Sequence, residues 1–213
     1  YSHTSNDEFS EPGYVGVPLP GVEARIADDG EVLIRSPGQF AGYYKQPELT
    51  AASFTEDGFF RTGDLGERRA DGLLRITGRA KELFKTAKGK YVAPAPIENR
   101  LNVHPLVELS LVSGVGQPAA FALVVLAEEA RATVHEAGAR EAACLELEAL
   151  LDRVNADLAD YEKLQMLVVV HEPWTIENGC LTPTMKVKRA RIEATVADRI
   201  DGWYASQRRV IWS

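Results

Sequence analysis

The chain has 213 residues, with 24 lysines and arginines against 31 aspartates and glutamates, and a formal net charge of −7. This composition is typical of a soluble globular protein of one or two domains, and the acidic balance argues against a nucleic-acid partner. The two cysteines, Cys144 and Cys180, are too few for a disulfide framework and have no zinc-site spacing, so we expect a cytoplasmic protein without a metal site of its own. The longest apolar stretch, Phe121–Ala127, is too short for a transmembrane segment, while peripheral membrane contact stays open.

Residues 12–77 have the pattern of short strands and turns. Four segments alternate apolar and polar residues and predict two β-hairpins: Val22–Ala27 with Glu31–Ser36, and Leu65–Arg69 with Leu73–Thr77. Each pair is separated by a turn that contains aspartate and glycine. Between the hairpins, Pro47–Phe54 predicts a short helix that begins at Pro47.

Beyond residue 78, helical and strand patterns alternate. The predicted elements are a short helix at Ile97–Leu101, paired strands at Leu109–Val115 and Ala119–Leu126, and a buried strand at Gln165–Val170. Within 128–162 an amphipathic helix is predicted from one apolar stripe: Ala143, Leu147, Leu150, Val154, Leu158 and Tyr161. A second stripe predicts one final helix: Ile192, Val196, Ile200 and Trp203. The fold class is therefore α+β, with a small β-rich subdomain at 1–77 and an α+β domain at 78–213.

Two segments near this boundary contain residues suited to nucleotide chemistry. Asp64, in Thr62-Gly63-Asp64-Leu65, is placed at the start of a strand, where its carboxylate can bind both hydroxyls of a ribose-like diol. Taken alone, an aspartate that closes a turn is the commoner explanation. The segment Gly78–Tyr91 has five basic residues, which suits phosphate groups, although it lacks the P-loop spacing. Taken in isolation, an exposed basic hairpin is the favoured explanation.

The third segment, Asn178–Arg189, places Lys186 just before the final helix. A cation at a helix N-terminus is electrostatically unfavourable, which favours a functional purpose over a merely basic first turn. A lysine at this position can neutralise charge on a reacting phosphate.

Taken in order, these segments resemble the C-terminal third of the AMP-forming acyl-CoA synthetases of the adenylate-forming superfamily. The resemblance runs from about residue 12 to about residue 195. The sequences of Ala93–Asn99 and Leu181–Lys186 are most similar to those of the long-chain fatty acid–CoA ligases. It implies a two-step reaction: ATP, bound with Mg²⁺, and a carboxylate give an acyl-adenylate and pyrophosphate, and coenzyme A (CoA) then displaces AMP.

The resemblance also implies roles for individual residues. Asp64 and Arg79 match the positions that bind the ribose of ATP or AMP. Lys186 matches the catalytic lysine, which contacts the carboxylate and the α-phosphate during adenylation.

Three further positions concern the second half-reaction. Lys81 matches the hinge residue about which the mobile C-terminal domain rotates between the two steps. Lys88 and Gly89 lie on the segment that then faces CoA. Lys88 stands where the family often has a glycine that lets the thiol arm approach closely, so this departure from the family pattern concerns the thioester step.

The family's phosphate loop, Mg²⁺ ligands and acyl tunnel belong to an N-terminal region that these residues do not contain. We therefore expect a piece of a long-chain fatty acid–CoA ligase that is inactive alone and completed by the missing N-terminal part of the same polypeptide. Two alternatives stay open: a ligase for an aromatic, medium-chain or carrier-bound acid, and a noncatalytic nucleotide-binding or interaction module.

Overall fold

The computed structural model describes residues 2–4 and 14–213, and the chain divides into two compact units, Tyr1–Leu83 and Phe84–Ser213. The division falls a little beyond Gly78, where the sequence pattern changes. Residues 5–13, which include the beginning of the predicted β-rich stretch, lie outside the described residues.

The first unit is built on a four-stranded antiparallel sheet in the order β3-β4-β5-β6. Its elements are β1 (His3–Thr4), β2 (Val17–Pro18), β3 (Glu23–Ile26), β4 (Glu31–Arg35), α1 (Pro47–Ala52), β5 (Phe60–Arg68), β6 (Leu74–Arg79) and a 3₁₀ turn at Ala80–Glu82. Both predicted hairpins and the predicted helix are confirmed.

Strand β5 is longer than the sequence pattern indicates. It begins at Phe60 rather than Leu65, because its first half pairs with β4 and its second half with β6. Asp64 consequently lies in the middle of a strand, and the prediction that it starts one is wrong. Gly66 is required in this strand, since a Cβ atom there would lie 2.7 Å from a methyl carbon of Val32 and 3.0 Å from the carbonyl oxygen of Arg75.

The second unit has a mixed sheet in the order β12-β11-β10-β9. Its elements are β7 (Phe84–Lys85), β8 (Tyr91–Val92), α2 (Pro94–Asn102), β9 (Val107–Ser113), β10 (Ala120–Leu126), α3 (Glu128–Thr133), α4 (Ala137–Ala156), β11 (Leu164–Val169), α5 (Arg189–Val196), α6 (Ile200–Ser206) and β12 (Val210–Trp212). Strands β9 and β10 are antiparallel, whereas β10, β11 and β12 run parallel to one another. The predicted strand pair and the predicted buried strand are confirmed.

Helices cover both faces of this sheet. One apolar cluster joins the sheet to α2 and α4, and a second joins its other face to α5 and α6. Every residue of β10 is buried, because a strand with helices on both sides has no solvent face. This explains why β10 is a continuous apolar run rather than an alternating pattern.

The helices predicted from the two apolar stripes are only partly confirmed. The long acidic segment forms two helices, and α4 ends at Ala156, so Leu158 and Tyr161 lie beyond it. The Asn155 side chain explains this end, because it donates to the Leu164 carbonyl at 2.9 Å and accepts from the Leu164 amide at 2.8 Å, which turns the chain into β11.

The predicted single helix at the end of the chain is also wrong in extent. It is interrupted between Val196 and Ile200, which gives α5 and α6. The stripe remains on one side because Ile192, Val196 and Trp203 are all buried against the same face of the sheet. Strand β12 has no counterpart among the sequence predictions. No helix within the described residues is long and apolar enough to cross a membrane.

Candidate functional site

Asp64 and Arg79 lie directly opposite each other on the adjacent strands β5 and β6. The Arg79 Nε atom is 2.9 Å from Asp64 Oδ1, and the two side chains are 60% and 29% exposed. Both groups therefore remain accessible to a ligand while they hold each other in place. This places a carboxylate and a guanidinium side by side at the surface, an arrangement that can bind hydroxyl and phosphate groups together.

The buried carboxylate of Glu31 holds the backbone that presents Asp64. Its Oε1 atom accepts a hydrogen bond from the Gly63 amide at 2.9 Å, and its Oε2 atom is 2.9 Å from the guanidinium of Arg61. Gly63 has a φ angle of 72°, in the left-handed region that favours glycine. The Thr62 hydroxyl in turn accepts from the Asp64 amide at 3.1 Å. The Thr62-Gly63-Asp64 segment is thus a braced irregularity inside β5.

Lys81 lies in the 3₁₀ turn at Ala80–Glu82, which leads out of β6 to the end of the first unit at Leu83. The turn is held by a hydrogen bond from the Leu83 amide to the Arg79 carbonyl at 3.2 Å. The Lys81 side chain is exposed. The structure therefore puts this residue in a short, solvent-exposed connection, where a change of backbone angle disturbs little packing.

Lys88 and Gly89 form the exposed tip of the hairpin between β7 and β8. The Thr86 amide donates to the Lys90 carbonyl at 3.0 Å, and the Gly89 amide donates to the Thr86 carbonyl at 2.9 Å. Gly89 has a φ angle of 77°, so a residue with a side chain is strained there. Only the second part of the basic segment, from β7 to β8, is therefore an exposed hairpin, and its role toward CoA stays a prediction.

Lys186 lies in a tight loop closed by an antiparallel bridge between Leu181 and Val187. The Thr182 amide donates to the Lys186 carbonyl at 2.8 Å, and the Lys186 amide donates to the Thr182 hydroxyl at 3.0 Å. Met185 adopts a φ of 61°, which is uncommon for a residue other than glycine. The Lys186 side chain is exposed, and no ion pair within the described part of the chain involves it. A fixed backbone thus carries a free cationic side chain.

The Asn178 side chain stabilises the segment that leads into this loop. Its Oδ1 atom accepts from the amides of Thr175 and Cys180 at 3.0 and 3.2 Å, and its Nδ2 atom donates to the Pro173 carbonyl at 3.0 Å. Gly179 follows in the left-handed region, with a φ angle of 74°. The Asn178-Gly179 pair therefore builds the entrance to the loop.

A half-buried ion pair ties the end of the same loop to the core. The Arg189 Nη2 atom is 2.7 Å from Glu98 Oε1, with side-chain exposures of 22% and 14%. Arg189 also donates to the Val112 carbonyl at 2.7 Å, and the Val112 amide donates to Glu98 at 2.7 Å. The pair joins α2, β9 and α5, so it fixes the first residue of the helix that follows Lys186.

Glu98 and Glu31 have no role among the sequence predictions. Glu98 could have been noticed, because it shares the apolar side of α2 with Pro94 and Leu101, where a charge needs a partner. Glu31 carries no such signal, since its partners come from a strand distant in the chain.

Replacing Glu98 by alanine is expected to lower the free energy of unfolding by about 2 kcal/mol, because it leaves the Arg189 guanidinium half-buried without its carboxylate. Urea unfolding of the 213-residue chain measures this change. The matched control is Asp152→Ala, which removes the partner of Arg209 in an ion pair with side-chain exposures of 67% and 44%. That control should lose less than about 0.5 kcal/mol. Equal losses in both variants would mean that the Glu98 pair does not brace the loop.

The structure brings Asp64 and Arg79 together in the first unit. In the second unit, Lys88 lies at the tip of the β7–β8 hairpin and Lys186 lies in a separate loop, next to the bridge that closes it. Among the described residues, no group of three or more histidine, cysteine, aspartate or glutamate side chains is placed to hold a metal ion.

The sequence matches one protein family and is similar to known long-chain-fatty-acid–CoA ligases. Residues 82–208 match the family described as AMP-binding enzyme C-terminal domain. The chain is 38% identical over 204 residues to long-chain-fatty-acid–CoA ligase FadD15 of Mycobacterium tuberculosis, an alignment that covers 90% of this chain and 34% of that protein. It is 31% identical over 218 residues to human long-chain-fatty-acid–CoA ligase 1, which covers 91% of this chain and 31% of that protein. The chain thus spans about a third of the length of these relatives.

Solved structures with the same fold come from related enzymes. The adenylation domain of the carboxylate reductase from Mycobacterium chelonae superposes with a TM-score of 0.73 at 28% identity, over 91% of this chain and 32% of that one. A carboxylic acid reductase didomain from Segniliparus rugosus in complex with AMP gives a TM-score of 0.72 at 29% identity, over 90% of this chain and 28% of that one. The α+β fold class expected from the sequence is confirmed.

Proposed function

Because this chain belongs to the AMP-binding enzyme family, we propose that it is the C-terminal part of an ATP-dependent long-chain fatty acid–CoA ligase. In the proposed reaction a fatty acid carboxylate attacks the α-phosphate of ATP and releases pyrophosphate. CoA then attacks the acyl carbon of the acyl-adenylate and releases AMP. The N-terminal part of the polypeptide is proposed to supply the rest of the active site.

The observation that carries this proposal is the pairing of Asp64 with Arg79 across β5 and β6. We assign Asp64 to the ribose hydroxyls, because an ionised carboxylate accepts hydrogen bonds from both oxygens of a vicinal diol. Arg79 keeps that carboxylate oriented and adds positive charge next to the nucleotide phosphates. The buried Glu31 maintains the strand irregularity on which this geometry depends.

Lys186 is proposed to act in the first half-reaction only. Negative charge concentrates on the α-phosphate and the attacking carboxylate, and a lysine on a rigid loop can stabilise it without reorganising. The Mg²⁺ that accompanies ATP is proposed to be held by residues of the missing N-terminal part. Lys81 is proposed as the hinge between the half-reactions, and Lys88 and Gly89 as the segment that meets CoA.

Acid-dependent exchange of labelled pyrophosphate into ATP tests the proposal in the full-length protein. We expect exchange with palmitate, followed by palmitoyl-CoA formation when CoA is added. Failure to catalyse exchange with any acid would favour the noncatalytic module instead.

Replacing Asp64 by asparagine in the full-length protein is expected to raise the KM for ATP by roughly tenfold, because the ribose loses a charged hydrogen-bond acceptor. Steady-state kinetics at varied ATP measure this change. The matched control is Glu67→Gln, which alters another charged cross-strand pair on the same two strands, where Arg75 lies 3.1 Å from Glu67. A similar rise in the control would assign the effect to the sheet rather than to ribose binding.

A second candidate keeps the adenylation step but changes the acid or the acceptor. Two observations favour it: the exposed Lys88 at the hairpin tip, and the carboxylic acid reductases among the structural neighbours. A panel of palmitate, decanoate and benzoate, each tested with CoA and with a phosphopantetheine carrier protein, separates the two. Preferred exchange with benzoate, or transfer to the carrier alone, would replace the long-chain CoA ligase by this candidate.

A further inference from the structure

A crevice of about 960 Å³ opens in the second unit at the carboxyl ends of its parallel strands. Leu126 at the end of β10, Val169 at the end of β11 and Trp212 at the end of β12 all line it. In open α/β sheets, ligands bind preferentially outside the carboxyl ends of parallel strands. The volume lies within the range of small-molecule sites in proteins.

The lining of this crevice is strongly basic. Four arginines contribute to it, Arg131, Arg140, Arg191 and Arg199, against Glu172 as the single acidic residue among the described lining residues. This contrasts with the net charge of −7 for the whole chain. Several arginines around one cavity in an acidic protein favour an anionic ligand, because like charges are brought together at an electrostatic cost that a bound anion offsets.

Contacts with the chain's own residues hold two of these guanidinium groups in place. The Arg140 guanidinium lies over the ring of Trp212, at 4.7 Å from its centroid. Arg199 donates to the Ser213 hydroxyl at 2.5 Å and to the Thr195 carbonyl at 3.1 Å. These partners are a ring, a hydroxyl and a carbonyl, and within the described residues no aspartate or glutamate forms an ion pair with either arginine.

Arg131 and Arg191 differ from this pair. Arg131 bonds to the carboxylate of Glu108 and to the Leu126 carbonyl, so its charge is largely balanced. Arg191 is exposed, and no ion pair within the described ranges involves it. The free positive charge of the crevice therefore comes from Arg140, Arg191 and Arg199.

We propose that this crevice binds a small molecule that carries a diphosphate group. A guanidinium matches the oxygens of a phosphate with paired hydrogen bonds, and three of them suit a ligand with two adjacent phosphates better than a single carboxylate. The crevice volume that a diphosphate would not fill leaves room for an organic group attached to it, next to the half-buried Trp212. Neither Lys186 nor Asp64 lines the crevice, so this inference does not depend on the proposed function.

Isothermal titration calorimetry of the 213-residue chain with inorganic pyrophosphate, ADP and adenosine tests the proposal. We expect saturable binding of pyrophosphate and ADP that weakens with added salt, and no binding of adenosine. Tighter binding of ADP than of pyrophosphate would indicate that the attached group is recognised as well. Equal affinities would restrict recognition to the diphosphate.

Variants assign the binding to the crevice. The double variant Arg140→Gln, Arg191→Gln should bind at least roughly tenfold more weakly, since it removes two charged hydrogen-bond donors. Arg208→Gln, an exposed arginine that does not line the crevice, should bind as the unmodified chain does. Absence of pyrophosphate binding up to millimolar concentration, or equal affinities in the double variant and the Arg208 control, would overturn the proposal.

Discussion

Replacing Lys186 by alanine in the full-length protein is expected to slow acyl-adenylate formation by roughly 10²–10³-fold, the usual cost of removing one well-placed charge-stabilising group. The loop that presents Lys186 is held by backbone hydrogen bonds and by Thr182, none of which involves the lysine ammonium group. The substitution should therefore remove the charge and leave the fold unchanged. Pyrophosphate exchange measures the first half-reaction, and thioester formation from a chemically prepared acyl-adenylate measures the second.

The two measurements should differ. Pyrophosphate exchange should be slow, whereas thioester formation should stay close to the rate of the unmodified enzyme. Lys188→Ala is the matched control, because it removes a second exposed lysine from the end of the same loop. Equal loss of both half-reactions in Lys186→Ala would contradict the assignment and identify a structural residue. Loss of exchange in Lys188→Ala to the same degree would show that the net charge of the loop matters, not one side chain.

Proline at position 81 is expected to allow one half-reaction and block the other in the full-length protein. Proline fixes φ near −65°, so the proposed hinge could no longer take up a second backbone conformation. The exposed position of Lys81 in a single 3₁₀ turn makes this a test of backbone freedom rather than of packing. Adenylation and thioester formation are measured separately, and one of them should fall by roughly tenfold or more.

Lys81→Ala provides the control, because alanine removes the charge and leaves both backbone angles free. It should run both half-reactions near the rates of the unmodified enzyme. If the proline variant also ran both steps at normal rates, Lys81 would not be the hinge. If the alanine variant lost one step, the lysine side chain itself would be required.

Local patterns predicted the elements whose periodicity is set by contacts close in the chain. The hairpin of β3 and β4 follows from alternation and an Asp-Gly turn, and α1 follows from a proline at its first residue. The ends of helices were less predictable, because they depend on tertiary contacts. Asn155 ends α4 by bonding to Leu164 in the next strand, and nothing in the local pattern indicates that partner.

The residues of the candidate site also fall into two groups, those that local sequence predicts and those that only the fold brings together. Asp64, Arg79 and Lys186 stand in recognisable motifs, so a single sequence suffices to propose them. Glu31 bonds to residues of a strand about thirty positions away in the chain. Three of the crevice arginines come from the helices α3, α4 and α5, and the fourth comes from the connection between α5 and α6. Only the fold brings such groups together, so the spacing of residues along the chain does not predict them.

The parallel edge strand β12 has a consequence for the order in which the second unit can form during synthesis. Residues 210–212 pair with 167–169 of β11, and β11 itself pairs with β10, so the sheet is assembled from segments far apart in the chain. Until Val210 leaves the ribosome, one edge of β11 has no partner, although α4 and most of the apolar core are already available. Pairings of this kind form late and slowly, because a long loop must close before they add any stability. The nascent protein therefore passes through a stage with an open strand edge, and chaperones that shield such edges should associate with it until residues 210–212 emerge and pair with β11.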